Sequence, residues 1–331
     1  MDLTITWAVI IAFAVAMYVV MDGFDLGIGI LFPLFRVGRE RDQAMNAIAP
    51  VWDGNETWLV LGGGGLLAAF PLAYAIILPA LYAPLTAMLL GLVFRGVAFE
   101  VRWRDAGHRR VWDAGFCLGS LIATFAQGIT LGALLQGITI EGRAYAGGWW
   151  EWLTPFSLLT GASLVVAYAL LGACWLIWKT EGALNGAARR FATWLLPSFL
   201  AAVGAVSLAT PFLEAQYHER WFEWPGLLVA GIMPLAFGGA ALAAWHGIRR
   251  GADALPFAAS LGMFALTLAG LAISIWPDVI PGRVTIWQAA APAQSQLFML
   301  VGALVLVPLI LAYTAWSYWV FRGKVGEDGY H

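Results

Sequence analysis

The sequence predicts an all-α integral membrane fold of nine transmembrane helices: two four-helix bundles plus one peripheral helix, amino terminus outside, carboxyl terminus inside. Three observations carry that expectation. The 331 residues hold 18 basic and 20 acidic side chains, 11% charged, where a soluble domain carries about 25%. Hydrophobic residues make up 61% of the chain and the mean hydropathy is +0.78. The basic residues alternate in density from one inter-span segment to the next. The charge deficit excludes a cytosolic enzyme and a secreted disulfide scaffold. A net charge of −2 leaves no basic face for nucleic acid.

A bilayer core about 30 Å thick needs about 20 apolar residues per helix. Span one, residues 6–35, opens after an acidic residue and lacks a basic leader, so it reads as a retained helix and not a signal peptide. Arg36, Arg39 and Arg41 follow it. Spans two and three, 51–73 and 75–97, have no basic residue between them. Arg95, Arg102, Arg104, Arg109 and Arg110 mark the far end of span three. Span four (113–137) is followed by Arg143 alone, and span five (155–178) by Lys179, Arg189 and Arg190. Span six (191–213) is followed by Arg220 alone, span seven (225–248) by Arg249 and Arg250, span eight (256–277) by Arg283 alone. Arg322 and Lys324 follow span nine (296–320). Fifteen of the eighteen basic residues thus fall on one side, which the positive-inside rule makes cytoplasmic.

Residues 1–137 and 155–277 each hold four spans beginning outside, and 296–331 holds the ninth helix and a cytoplasmic tail. Tryptophans near both span ends, among them Trp7, Trp149, Trp276, Trp175 and Trp316, are expected in interfacial belts. Gly23–Gly27, Gly115–Gly119, Gly128–Gly132 and the run Gly62 to Gly65 have the spacing for close helix packing. Cys117 and Cys174 lie in apolar stretches and read as small core residues.

The informative residues are charges inside the spans, because each costs several kcal/mol unless paired or hydrated. Asp22 and Asp25 lie about 22 to 27 Å along span one, counted at about 1.5 Å per residue from Trp7. Three residues apart, they share a helix face. Span two opens with Trp52-Asp53-Gly54-Asn55-Glu56-Thr57-Trp58, and span three descends to Arg95 and Glu100. The polar groups of three consecutive spans therefore gather at one level, toward the cytoplasm. One reading is a proton path through Asp25, Asp53, Asp22 and Glu56, supported by Trp52, Trp58, Arg95 and Glu100. The other makes Asp53 and Glu56 a capping box for span two and pairs Asp22 and Asp25 with Arg95. Both readings stay open on the residues alone.

Histidines are few: His108 and His218 in loops, His246 at a span end, His331 at the terminus. Haem or copper buried in a helical bundle calls for imidazole well inside the membrane, so no cofactor or metal is expected on this chain.

The segments Asp22-Gly23-Phe24-Asp25-Leu26-Gly27-Ile28-Gly29 and Ala49-Pro50-Val51-Trp52-Asp53-Gly54-Asn55-Glu56-Thr57-Trp58-Leu59 resemble the two hallmark stretches of subunit II of cytochrome bd-type quinol oxidases. Phe94-Arg95 and Ala312-Tyr313-Thr314-Ala315-Trp316-Ser317-Tyr318-Trp319 are similar too. Cyanide-insensitive oxidases share the architecture. The resemblance implies a bacterial cytoplasmic membrane complex that oxidises quinol and reduces dioxygen to water, taking protons from the cytoplasm. It implies two haems b, one haem d and the quinol site in a larger partner, subunit I, with this chain as the non-haem subunit. Small single-span accessory subunits and a bound lipid or quinone are compatible additions. Acidic residues tied to proton access in that family map onto Asp25 and Asp53, flanked by Trp52 and Trp58, and less directly onto Asp22 and Glu56. Gln288 stands where some members carry an acid. A proton-coupled secondary transporter is the rival reading, although such proteins place their sites at the midplane. A third reading is a purely structural subunit.

Overall fold

The computed structural model describes residues 2–325; His331 and the end of the expected 296–331 segment lie outside the described residues. The chain is helical almost throughout. α1 (Leu3–Leu31) is capped by Asp2, whose carboxylate accepts from the amides of Thr4 (2.8 Å) and Ile5 (3.3 Å) and so satisfies two of the free N–H groups that begin any helix. A 3₁₀ turn (Phe32–Leu34) and α2 (Arg39–Asn46) follow. Next come α3 (Trp52–Ala69), α4 (Pro71–Ala80), α5 (Tyr82–Arg104) and α6 (Arg109–Leu135). A short hairpin pairs β1 (Ile140–Glu141) with β2 (Ala144–Tyr145).

The second half contains α7 (Pro155–Lys179), α8 (Gly182–Ala209), α9 (Ala215–Phe222), α10 (Gly226–Arg250) and α11 (Ala254–Ile275). A second hairpin of β3 (Asp278–Ile280) and β4 (Val284–Thr285) leads through α12 (Ile286–Ala289) to α13 (Ala293–Val320). Among the described residues, eight helices are long and apolar enough to span a membrane. α3 with α4 makes a ninth candidate, broken by a 119° bend.

That bend corrects the expected spans two and three. Proline disfavours helical backbone in the residue before it, and Phe70, just ahead of Pro71, adopts φ −130°, ψ 60°. α3 stops there after 18 residues, about 27 Å at helical rise. α4 turns aside to lie with β2, β3 and α12 on the side of the hairpins. The third long helix therefore begins at Tyr82, several residues later than the apolar pattern implies.

α5 packs on α6, α6 on α7, α7 on α8, and α10 on α11, while α1 packs on α3, α6 and α7 and α13 covers α1 and α3. The α1–α7 seam depends on glycine: a Cβ on Gly172 would fall 2.6 Å from the Gly27 carbonyl carbon. By contrast Gly63 and Gly64 face open space, so only part of the Gly62–Gly65 run serves packing. The tryptophan belts also need revision. Trp7 is buried and donates its indole N–H to the Gln296 carbonyl at 3.0 Å. Trp175, also buried, stacks on Phe24 (4.2 Å, 16°) and donates to Ala47 O at 3.1 Å. Trp149, Trp276 and Trp316 remain exposed as a belt requires.

Beyond α13 the chain crosses the arginine-rich end as a strap. Lys179 Nζ donates to the carbonyls of Phe321 (2.5 Å) and Gly323 (2.7 Å) and lies over the rings of Trp175 and Trp178. Val325 is buried; its N–H donates to Lys179 O at 2.7 Å and its carbonyl accepts from Gln43 Nε2 at 3.1 Å.

Candidate functional site

Arg95 is placed by a close helix contact. α5 and α6 approach so tightly that a Cβ on Gly119 would fall 2.6 Å from Gly91 O and 2.8 Å from Arg95 N. The guanidinium, 1% exposed, then enters the space between α1, α3 and α5. Nη1 donates to Asp22 Oδ1 at 2.6 Å and to Glu56 Oε1 at 3.1 Å, and Nη2 lies 3.8 Å from Asp25 Oδ2. Asp22 and Asp25 are fully buried; the Glu56 side chain is 27% exposed. Asn55 Nδ2 donates to Asp25 Oδ2 (2.7 Å) and to Met21 O (3.2 Å), and the Tyr318 hydroxyl donates to Asn55 Oδ1 (2.9 Å). The Trp52 ring lies 5.9 Å from the guanidinium carbon, within range of a cation–π contact.

Four of the expected residues therefore meet: Asp22, Asp25, Glu56 and Arg95, with Trp52 beside them. Three do not join them. Asp53 is exposed on the first turn of α3. It is not the helix cap, because Val51 holds that position without a side-chain bond; the capping-box reading fails, and Glu56 spends its carboxylate on Arg95. Glu100 is exposed and 4.0 Å from Arg104. Trp58 is buried edge-on to Phe13 at 5.7 Å. Asn55 and Tyr318, both within the quoted motifs, are the partners that sequence reasoning passed over.

Three carboxylates share one guanidinium, and Asp22 Oδ2 and Asp25 Oδ1 have no hydrogen-bond partner in the protein. Fully ionised, the group would carry uncompensated negative charge in a low-dielectric interior, at a cost of several kcal/mol. Charge balance requires it to hold protons.

The model of the family described as cytochrome bd terminal oxidase subunit II matches residues 3–321. The chain belongs to that family. Similar curated proteins include a "Probable cytochrome oxidase subunit 2" from Haemophilus influenzae, 31% identical over 98% of this chain and 95% of that one. The Bacillus subtilis "Cytochrome bd ubiquinol oxidase subunit 2" is 31% identical over 97% and 96%. The Escherichia coli K12 "Cytochrome bd-I ubiquinol oxidase subunit 2" is 29% identical over 97% and 95%. Among solved structures, a chain of the bd oxidase from Geobacillus thermodenitrificans superposes with a TM-score of 0.78 at 16% identity, covering 98% of this chain and 100% of that one, which shows a shared fold. A subunit II of a bd-type terminal oxidase is an integral membrane protein working in a complex with another subunit.

In this subunit II a second ionic group lies nearer the arginine-rich end. Arg102, 1% exposed, donates through Nε to Asp113 Oδ1 at 2.5 Å and through Nη1 to Asp42 Oδ1 at 2.6 Å. Arg41 Nη1 donates to Asp113 Oδ2 at 2.6 Å, and Arg109 lies 3.9 Å from Asp42. Arg41 and Arg102 flank the Phe32 ring at 5.4 and 5.5 Å. Read only as loop charges that orient the chain, these residues form a buried joint. Among the described residues no group of three or more His, Cys, Asp or Glu could hold a metal ion. His108 pairs with Asp105 at the surface (3.0 Å), His218 lies against Phe222 (5.0 Å), and His246 is exposed.

Proposed function

We propose that this chain is the non-haem subunit II of a quinol oxidase in a bacterial cytoplasmic membrane, bracing the haem-bearing subunit I and conducting protons toward it from the cytoplasm. The enzyme oxidises quinol and reduces dioxygen to water; the two haems b, the haem d and the quinol site belong to subunit I. In this reading the arginine-rich end is cytoplasmic, the hairpins lie outside, and residues 1–137 and 155–277 form two four-helix halves with the ninth helix laid across the first. Small accessory subunits and a lipid or quinone between helices fit the same picture.

The observation that carries the proton role is the graded exposure of the acids. Asp53 is open, Glu56 is 27% exposed, and Asp22 and Asp25 are fully buried. That order runs from an accessible carboxylate to a buried group whose charge balance demands protons. Asp53, outside the cluster, is the entry residue, and Asp25, tuned by Asn55, is the inner one. Membership of an oxidase family favours this over a secondary transporter, which would need a gate on the opposite side as well.

The test replaces Asp25 or Asp53 by Asn in the intact complex. Oxygen consumption and proton uptake are expected to fall severalfold with haem content unchanged. Unaltered rates at full haem content would remove the relay and leave the acids as structural partners of Arg95.

A further inference from the structure

One turn toward the hairpin side of Asp22, about 6 Å at helical rise, the interior stays polar where a lipid-embedded core should not be. The Tyr18 hydroxyl on α1 lies close enough to Asp22 and to Tyr168 of α7 to interact electrostatically with both. Tyr168 lies beside Gln127 of α6, and its ring abuts α1 so closely that a Cβ on Gly23 would fall 2.8 Å from Tyr168 Cε1. Tyr18 Oη, Tyr168 Oη, Gln127 Oε1 and Thr124 Oγ1 are buried, and none has a partner in good hydrogen-bond geometry: Tyr18 only leans toward Asp22, and Tyr168 toward Gln127. Asp22 Oδ2 and Asp25 Oδ1 are in the same condition.

Hydroxyls elsewhere on α6 behave differently. Ser120 and Thr130 donate to the carbonyls four residues earlier, Phe116 at 2.8 Å and Ala126 at 2.9 Å, the usual way a helix satisfies them. Thr124, between them and fully buried, does not. Buried polar atoms are nearly always bonded, to protein or to ordered water, and each orphan left in hydrocarbon costs free energy. Six such atoms on three packed helices are polar partners enough for internal water.

We propose that Tyr18, Tyr168, Thr124 and Gln127 hold a string of internal water molecules that continues the Arg95 cluster into the middle of the membrane and ends blindly. The end is closed next to Gln127, where α6 and α7 touch backbone to backbone: a Cβ on Gly128 would fall 2.6 Å from Thr160 O and 2.7 Å from Gly161 Cα. The water donates to the orphan carboxylate and amide oxygens and accepts from the tyrosine hydroxyls. Its use, as a store for protons held by the acids without a leak to the hairpin side, rests on the proton-access reading; its presence does not.

Radiolytic hydroxyl-radical footprinting of the intact complex tests it, since short X-ray pulses oxidise side chains that touch bound water even when bulk solvent is excluded. Tyr217 is the internal control: it is fully buried, but its hydroxyl is already satisfied by Leu135 O at 2.9 Å. Tyr18 and Tyr168 are expected to be oxidised severalfold faster than Tyr217, and Tyr168→Phe to slow oxidation of Tyr18. Equal, background-level oxidation of all three tyrosines would overturn the proposal. Rapid labelling of Tyr18 and Tyr168 in a complex whose Asp25→Asn variant takes up protons normally keeps the water and removes only its use.

Discussion

The two buried arginines of α5 are seven residues apart and do opposite things. Arg102 sits in a balanced joint: Arg41 and Arg102 meet Asp42 and Asp113, both oxygens of Asp113 accept a short bond, and half-exposed Arg109 stands at the rim. Arg95 sits in an unbalanced one, where three carboxylates compete for a single guanidinium and two carboxylate oxygens are left over. Balance fastens helices together, because no member can leave without stranding a charge. Excess acid makes a site that must hold protons to stay buried in the membrane. Geometry alone, both clusters having bonds of about the same length, would not separate them; counting charge does.

The comparison breaks most visibly by deleting each arginine. Arg102→Met leaves Asp113, whose side chain is 6% exposed, with only Arg41, and should cost about 3–5 kcal/mol, read as a lower unfolding temperature and weaker retention of the subunit in the purified complex. A loss below about 1 kcal/mol would show the joint to be dispensable. Arg95→Met should cost less, about 1–3 kcal/mol, because its acids can neutralise by taking up protons. The distinguishing sign is in pH: the acids must be neutral to stay buried, so this variant loses stability more steeply than the wild type as pH rises, in thermal melts.

Tyr318→Phe removes one hydrogen bond to Asn55 and should cost about 1 kcal/mol, with Asp25 left to a less oriented amide. Asp53→Asn and Glu100→Gln, both at exposed acids, should change stability by no more than about 0.5 kcal/mol. They should part in function, proton uptake falling for Asp53→Asn alone; equal effects would deny Asp53 its entry role. The smallest effect concerns the strap. The hydrogen bond from Lys324 holds Asp253 below its usual carboxylate range, and Asp253 raises Lys324 in turn. The sign is therefore constancy across neutral pH: the tie is lost only as pH falls through the depressed Asp253 value, under 3.8, or rises through the elevated Lys324 one. Limited proteolysis of the tail should stay flat between those limits; cleavage that rises near pH 6 would contradict it.

Much of this was legible in the sequence. Asp22 and Asp25, three apart on a helix, had to share a face, and Arg95 was the nearest cation at their level. Helical phase explains the misses. Glu100 follows Arg95 by five residues, about 140° around the helix, and so turns outward; Arg102 follows by seven, about 20° short of two full turns, and so turns inward with it. Asp53 precedes Asn55 by two, about 200° away, and cannot face Asp25 when Asn55 does. The break at Phe70 was hidden because hydropathy weighs Pro71 as one more tolerable residue, whereas the backbone restriction it imposes ends the helix. The water-lined region eluded sequence reading for another reason. Tyr18, Gln127 and Tyr168 belong to three different helices, and each alone looks like an ordinary residue of an apolar span.

The strap held by Lys179 also bears on how the molecule is made. Everything it ties together, from Gln43 on α2 to Lys179 on α7 and Asp253 ahead of α11, is synthesised before it. Until the residues after α13 leave the ribosome, the ammonium of Lys179 lacks its two carbonyl acceptors. Docking of the strap is thus a late step of folding, open to the chain only after its final helix has been made.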